Sequence, residues 1–335
     1  MYYEVARDTL DEDDLRRVDH ELDLLVRHHR ELGVDRDPLA HHPDPGPPRR
    51  VSIQERRFAG LDGEWMTFRS GWRPHEGAAG ADRWHTEGTN DTVHVGLLRH
   101  GGKPRPWLML VHPAEMGRAQ LDARMFRAGK LHRDLGINIA MPVLPLHGPR
   151  RPVDQLIRGS FPGLDIAFNI HALTQGVADL RRVLGWIRRQ KATAVGVHGF
   201  SLGGYFTGLL VGLDADLDAA VIGCPAVDMV TLVSRHLQDR IGHLEGMDAI
   251  HEKATEAYLP VSPLHLAPVL PSERIVLFGA AADRLTDPVD QLSLLWEHFD
   301  RPTLRWFDAG HMTYFMKRET HAALREALVE RGVAA

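Results

Sequence analysis

From Trp107 onward, apolar runs of five to seven residues alternate with longer stretches in which apolar positions recur every three or four residues. The runs fall at 107–111, 137–143, 194–198, 219–223, 275–279 and 303–307. Each predicts a strand, and the run at 275–279 one that is buried. The stretches between them predict helices at about 120–134, 172–190, 202–212, 229–244, 288–299 and 318–331. Within 172–190, Leu173, Val177, Leu180, Leu184 and Ile187 share one face, with arginines opposite. Such alternation demands parallel strands joined by helical crossovers on both faces of a sheet.

Upstream the pattern changes. Residues 51–58, 64–73 and 92–99 alternate in character and follow one another without helices, which predicts an antiparallel start to the sheet. Residues 74–90, rich in glycine and polar groups, predict a loop. Residues 9–33 predict a helix: Thr9 and Glu12 form a capping box, Leu15, Val18, Leu22, Leu25, Val26 and Leu32 form one stripe, and Gly33 stops it. This helix is expected to pack on the body of its own chain, with a homodimer contact as the alternative use. Residues 38–48 hold five prolines and predict a stiff connector, in which the His41-His42 pair is expected to be solvated rather than metal-binding. The stretches 144–170 and 245–271 show no clean period and are expected to be irregular.

Composition narrows the picture only a little. Hydrophobic residues make up 43% and charged residues 25% of the 335, ordinary values for a globular chain. The net charge of −5 implies no general attraction to nucleic acid. The single cysteine, Cys224, rules out an internal disulfide and, at the end of an apolar run, is expected to be buried and inert. No run reaches the roughly 18 apolar residues of a membrane span. The polar N-terminus does not fit a signal peptide, so a cytoplasmic location is expected.

Candidate chemistry concentrates at residues 199–204, Gly-Phe-Ser-Leu-Gly-Gly, which follow the run 194–198 directly and precede the apolar segment 205–211. A serine on a sharp strand-to-helix turn is pushed out of the packed layers with its hydroxyl exposed. Gly199 and Gly203 leave room for that turn. The Leu202 amide, at the helix start, points where an oxyanion would develop. An ordinary glycine-rich strand-to-helix turn is the alternative. The order Gly196, Gly199, Gly203, Gly204 does not match the G-x-G-x-x-G of a dinucleotide-binding turn.

This segment resembles the nucleophile elbow of the α/β-hydrolase superfamily, and the resemblance extends over roughly residues 92–332. It looks nearest to the esterase and dienelactone-hydrolase-like or prolyl-oligopeptidase-like branches. The resemblance implies an α/β-hydrolase fold: a mostly parallel, eight-stranded sheet with an antiparallel start and helices on both faces, plus an N-terminal helical extension. It divides the chain into residues 1–50, helix and Pro-rich connector, and a hydrolase domain at 51–335 with small cap-like insertions near 144–170 and 245–271. The family order of serine, acid, histidine points to Ser201, then Asp283 in the loop after 275–279, then His311 in the loop after 303–307. Asp287, ahead of Pro288, reads as a helix cap. Asp228 is the other candidate acid, with a cap as its alternative role. His198, inside the elbow strand, is expected to pack below the site. The second oxyanion donor belongs to the loop His112–Gly117. Pro113 stands there where many relatives carry glycine and has no N–H, which leaves the amide of Ala114, with Glu115 next. The implied activity is two-step acyl transfer on a small-molecule carboxylic ester, without cofactor or metal. Thioesterases, peptidases, lactone hydrolases and acyltransferases share that machinery, and a catalytically idle fold used for binding or assembly is the alternative.

Overall fold

Nine strands pair into one sheet in the computed structural model, which describes residues 12–34, 36–85, 88–152, 161–163, 165–241 and 247–334. They are β1 (Ser52–Phe58), β2 (Leu61–Arg69), β3 (Thr92–Leu98), β4 (Trp107–Val111), β5 (Asn138–Pro142), β6 (Val195–Phe200), β7 (Ala219–Gly223), β8 (Ile275–Ala280) and β9 (Thr303–Phe307). Their spatial order is β1-β2-β3-β5-β4-β6-β7-β8-β9. The pairs β1–β2, β2–β3 and β3–β5 are antiparallel, and all the others are parallel. The sheet has nine strands where the resemblance implied eight, and its edge strand β1 pairs along its whole length with β2, from Ser52↔Thr67 to Phe58↔Leu61. Ala59 and Gly60, both at positive φ (53° and 78°), form the two-residue turn that such a hairpin needs.

Ten helices are described: α1 (Glu12–Glu31), α2 (Ala81–His85), α3 (Ala119–Met125), α4 (Ala128–Leu135), α5 (Ile166–Arg189), α6 (Leu202–Leu213), α7 (Met229–Ile241), α8 (Met247–Tyr258), α9 (Ser293–His298) and α10 (Arg318–Glu330). Successive strand residues leave on opposite faces, and the two cores follow that rule. In β4, Trp107, Met109 and Val111 enter one core while Leu108 and Leu110 enter the other, and β8 divides in the same way. The first core is covered by α1, α5, α6 and α8, the second by α3, α4 and α10.

Three local expectations change. The helix expected at 120–134 is broken after Phe126, because Arg127 adopts a left-handed conformation (φ 50°, ψ 40°) before α4 begins. The region 245–271 contains α8, whose buried residues include Ile250, Ala254 and Ala257, where alanines weaken the apolar signal. The connector histidines are buried, not solvated: His41 Nε2 lies 2.9 Å from Thr174 Oγ1, and His42 Nε2 lies 2.7 Å from the Pro260 carbonyl. Thr9 of the expected capping box and residues 153–160, 164 and 245–246 of the two irregular regions lie outside the described residues.

Helix α1 turns its apolar face inward, burying Val18, Leu22 and Leu25. Lys253 of α8 holds Asp19 (2.7 Å) and Asp23 (3.0 Å), and Arg83 holds Glu21 (2.7 Å). No described helix is long and apolar enough to cross a membrane.

Candidate active site

The sheet register gathers the site. Val111 pairs with Gly199, Phe200 with Gly223, Gly223 with Phe278, and Ala280 with Phe307. The loops after β4, β6, β7, β8 and β9 therefore leave the sheet at one edge, where α/β sheets carry their ligands.

Ser201 sits between β6 and α6 with φ 56° and ψ −117°. A non-glycine residue there is strained by roughly 1–3 kcal/mol and needs its surroundings to hold it. Its N–H donates to the Gly223 carbonyl (2.9 Å), and its carbonyl accepts from the N–H of Tyr205 (3.0 Å) and Ala226 (3.2 Å). Although Ser201 is the N-cap of α6, its hydroxyl makes no capping bond, so the oxygen is not spent on the helix. Both elbow glycines are required by packing. A Cβ on Gly199 would lie 2.0 Å from the Gly203 carbonyl oxygen, and one on Gly203 would lie 2.0 Å from that of Val111. The second contact also shows that the first turn of α6 rests on the end of β4. Leu202 opens α6, so its amide is among those with no acceptor inside the helix.

The structure brings Asp283 and His311 together. His311 Nδ1 donates to Asp283 Oδ2 at 2.7 Å, with both residues buried. That bond leaves Nε2 of the neutral ring as an acceptor. Asp283 Oδ1 accepts the amides of Leu285 (2.9 Å) and Thr286 (3.0 Å), and Oδ2 also accepts from Thr286 Oγ1 (3.0 Å). Burial pushes the Asp283 pKa up, but the His311 bond and the two amides outweigh it, and the net direction is down. The His311 ring lies 4.8 Å from that of Phe200, the neighbour of Ser201, and Phe200 is packed in turn by Tyr314 (5.1 Å) and Phe315 (4.3 Å).

The other candidate carboxylates have different partners. Asp228 accepts from the N–H (3.0 Å) and hydroxyl (2.6 Å) of Thr231 at the start of α7, and Asp287 accepts from the Val289 N–H (2.9 Å). His198 is fully buried and bonds the Val221 carbonyl (2.9 Å), and burial pushes its pKa down to about 4. Cys224 is buried, and its thiol is pushed well up by that burial and then by the neighbouring Asp283 charge.

In the loop after β4, His112 is the brace. Its Nε2 accepts the Leu144 N–H (3.0 Å), so its Nδ1 carries the proton and donates to the Pro113 carbonyl (2.7 Å). This ties the loop to the end of β5. Ala114 is half-buried against the core, Glu115 is left-handed (φ 63°), and the Gly117 N–H donates to Asp122 Oδ1 (3.2 Å).

Sequence reasoning missed Thr286, His112 and the packing of Phe200. No local pattern marks Thr286 or Phe200, since both act through residues distant in the chain. His112 stood in the quoted loop, but its partner Leu144 did not. Among the described residues no three His, Cys, Asp or Glu side chains converge to hold a metal ion.

No protein-family model matches the chain. It is 36% identical over 319 residues to the uncharacterized protein MT2702 of Mycobacterium tuberculosis, which covers 95% of this chain and 76% of that protein. It is 39% identical over 287 residues to the uncharacterized protein Rv2627c of the same species, covering 85% and 67%. Among solved structures it is similar to acetyl xylan esterase 1 from Thermoanaerobacterium sp. JW/SL YS485, with TM-score 0.58, 13% identity and coverage of 98% and 96% of the two chains. It is also similar to an acetyl xylan esterase from Paenibacillus sp. R4, with TM-score 0.56, 14% identity and coverage of 94% and 99%. At such identities the likeness is one of fold. The chain belongs to the family of these two mycobacterial proteins, and its fold is that of the α/β-hydrolases.

Proposed function

We propose that this protein is a serine hydrolase that cleaves carboxylic esters through Ser201, His311 and Asp283. The observation that carries this reading is the 2.7 Å bond from His311 Nδ1 to Asp283, at the sheet edge from which the strained Ser201 also projects. His311 Nε2 takes the proton of the Ser201 hydroxyl as its oxygen attacks the acyl carbonyl. Asp283, ionised and fully hydrogen-bonded, stabilises the imidazolium that forms. The amides of Leu202 and Ala114 bind the oxyanion. The alkoxide leaves with the proton from Nε2, and the acyl-serine is hydrolysed by a water that His311 deprotonates. Each lost oxyanion donor costs about 100- to 1000-fold in rate. With Pro113 removing one amide from that loop, an ester, whose alkoxide leaves readily, suits the site better than an amide. The described parts of 144–170 and 245–271 act in this proposal as small caps that shape the acyl pocket.

The test is a fluorophosphonate probe followed by p-nitrophenyl esters of graded chain length. Labelling that disappears in Ser201→Ala, with turnover that falls alongside, is the expected result. Pro113 also favours a second reading, an idle hydrolase fold used for binding. A folded chain that never labels would establish it.

A further inference from the structure

Away from the sheet edge, a cavity of about 270 Å³ opens between α1, the connector after it, residues 70–78 and α5. Histidines from four elements line it: His28 and His29 on α1, His41 and His42 in the connector, His75, and His171 on α5. Three arginines join them, and no Asp or Glu among the described residues does. The rings form a chain, with centroids 5.4 Å apart for His28 and His75, 5.3 Å for His29 and His41, and 5.1 Å for His41 and His42.

The lining holds unsatisfied polar atoms. His28 Nε2, His29 Nδ1, His41 Nδ1 and Arg182 Nε are buried without a partner. Each such group costs about 1–3 kcal/mol unless something fills the gap. The state of His41 follows from its neighbour. The Thr174 hydroxyl gives its hydrogen to the Ile170 carbonyl (2.8 Å), so Thr174 accepts from His41 Nε2 (2.9 Å), and Nδ1 is a bare lone pair.

The charges around the cavity lean positive. Arg73 is paired with Asp91 (2.6 Å). Arg181 donates to the carbonyls of His42 (2.8 Å) and Pro43 (3.1 Å), with the exposed Asp44 3.9 Å away. Arg182 donates to the Pro45 carbonyl (3.0 Å). Glu31 faces His28; Asp165, Arg83 and His85 face His171. Burial holds His29, His42 and His171 down to about 4, and His41 also well down, so these four imidazoles are neutral.

We infer that this cavity binds a small oxyacid, a phosphate or a carboxylate. The guanidinium groups of Arg181 and Arg182 supply the fixed positive charge, and the ligand's acidic proton, or one from solvent, passes to His41 Nδ1. The imidazolium then donates through Nε2 to Thr174 and through Nδ1 to a ligand oxygen, so binding takes up a proton. The bound ligand joins α1 and its connector to α5. A metal ion fits less well, because no three described ligating groups converge and the guanidiniums repel a cation. The inference does not depend on the hydrolase reading, and Ser201→Ala leaves it unchanged.

Calorimetric titration of the full chain with inorganic phosphate and, separately, with butyrate tests it. Butyrate stays ionised between pH 6 and pH 8, so proton uptake there belongs to the protein. The expected result is saturable one-to-one binding of at least one probe, tightening by about tenfold per pH unit as pH falls, as uptake of one proton requires. The probe that binds identifies the ligand class. His41→Gln keeps a donor for Thr174 but has no Nδ1, and its affinity should drop at least tenfold. If that variant does not melt cooperatively, the Nδ1 ¹⁵N shift of His41 in the native chain decides instead, by moving to its protonated position when probe is added. Absence of saturable heat with both probes up to about 20 mM, binding without proton uptake, or unchanged affinity in a folded His41→Gln would overturn the inference.

Discussion

Asp122 offers the most quantitative test of this structure. It lies on α3, 1% exposed, with Oδ1 accepting the Gly117 N–H and Oδ2 buried without a partner. Burial pushes its pKa from the ordinary 3.8 up to about 7. Between those two pH values the native chain keeps a proton that the unfolded chain has released. Stability from this group is therefore greatest in acid, falls as pH rises from about 4 to 7, and is level above that. A gap of about 3 pH units corresponds to about 4 kcal/mol at pH 8, of which about 1.5 kcal/mol is already present at pH 5. Asp122→Asn keeps the acceptor for Gly117 and removes the titration. The amide N–H₂ group that replaces the orphan oxygen costs about 1–2 kcal/mol at every pH, so the slope is the signature and the offset is not. Urea unfolding of both proteins at pH 5, 6, 7 and 8 should show the asparagine variant gaining about 2–3 kcal/mol on the native chain from pH 5 to pH 8. Parallel stability curves would refute the assignment of a buried, unpaired carboxyl beneath the loop after β4.

Four further outcomes are expected. Asp283→Asn should lower kcat on a p-nitrophenyl ester by about 10⁴, the scale of a triad whose histidine tautomer is lost, whereas near-native turnover would move the acid role to Asp228. Thr286→Val removes the hydroxyl that donates to Asp283 and the Cys224 carbonyl. It should lower kcat/KM by about tenfold, one charge-assisted hydrogen bond, and cost about 1–3 kcal/mol in denaturant unfolding, because buried acceptors lose their donor. Gly199→Ala drives a Cβ to 2.0 Å from the Gly203 carbonyl oxygen and should cost about 3 kcal/mol or more in denaturant unfolding. Burial holds His42, His147, His171 and His198 down to about 4, below the ordinary 6.5. The unfolded chain therefore gains protons first, and melting temperature should fall steeply as pH drops from 6.5 towards 4, each histidine contributing up to about 3 kcal/mol.

The strands β4 to β8 were legible because each is apolar on both faces, and the elbow was legible because Gly199, Ser201 and Gly203 meet a local steric demand. Helix α8 was hidden because Ala254 and Ala257 carry its inward face. The burial of His41 and His42 was hidden for a different reason. Five prolines describe the stiffness of residues 38–48, but nothing local reveals that Thr174 and the Pro260 carbonyl wait for those rings. Thr286 was invisible in the same way: a threonine three residues beyond Asp283 acquires meaning only when the loops after β8 and β9 are side by side.

Position in the chain singles out the candidate base among 21 histidines, and the hydrogen bonds supply an independent physical criterion. His42, His112, His147, His171 and His198 each bond a backbone carbonyl. A carbonyl fixes a tautomer but brings no net charge, so such a ring in a buried setting stays neutral, and all five are held below their ordinary value by burial. A general base must do the opposite and accept a positive charge at low cost during the reaction. Only a carboxylate within hydrogen-bond reach offsets the burial penalty for that charge. Among the described residues His311 is the one imidazole with such a partner, Asp283. The same criterion separates the two histidine populations of this molecule. The ring paired with an acid meets it, whereas His41 of the α1–α5 cavity bonds a threonine hydroxyl and faces other imidazoles.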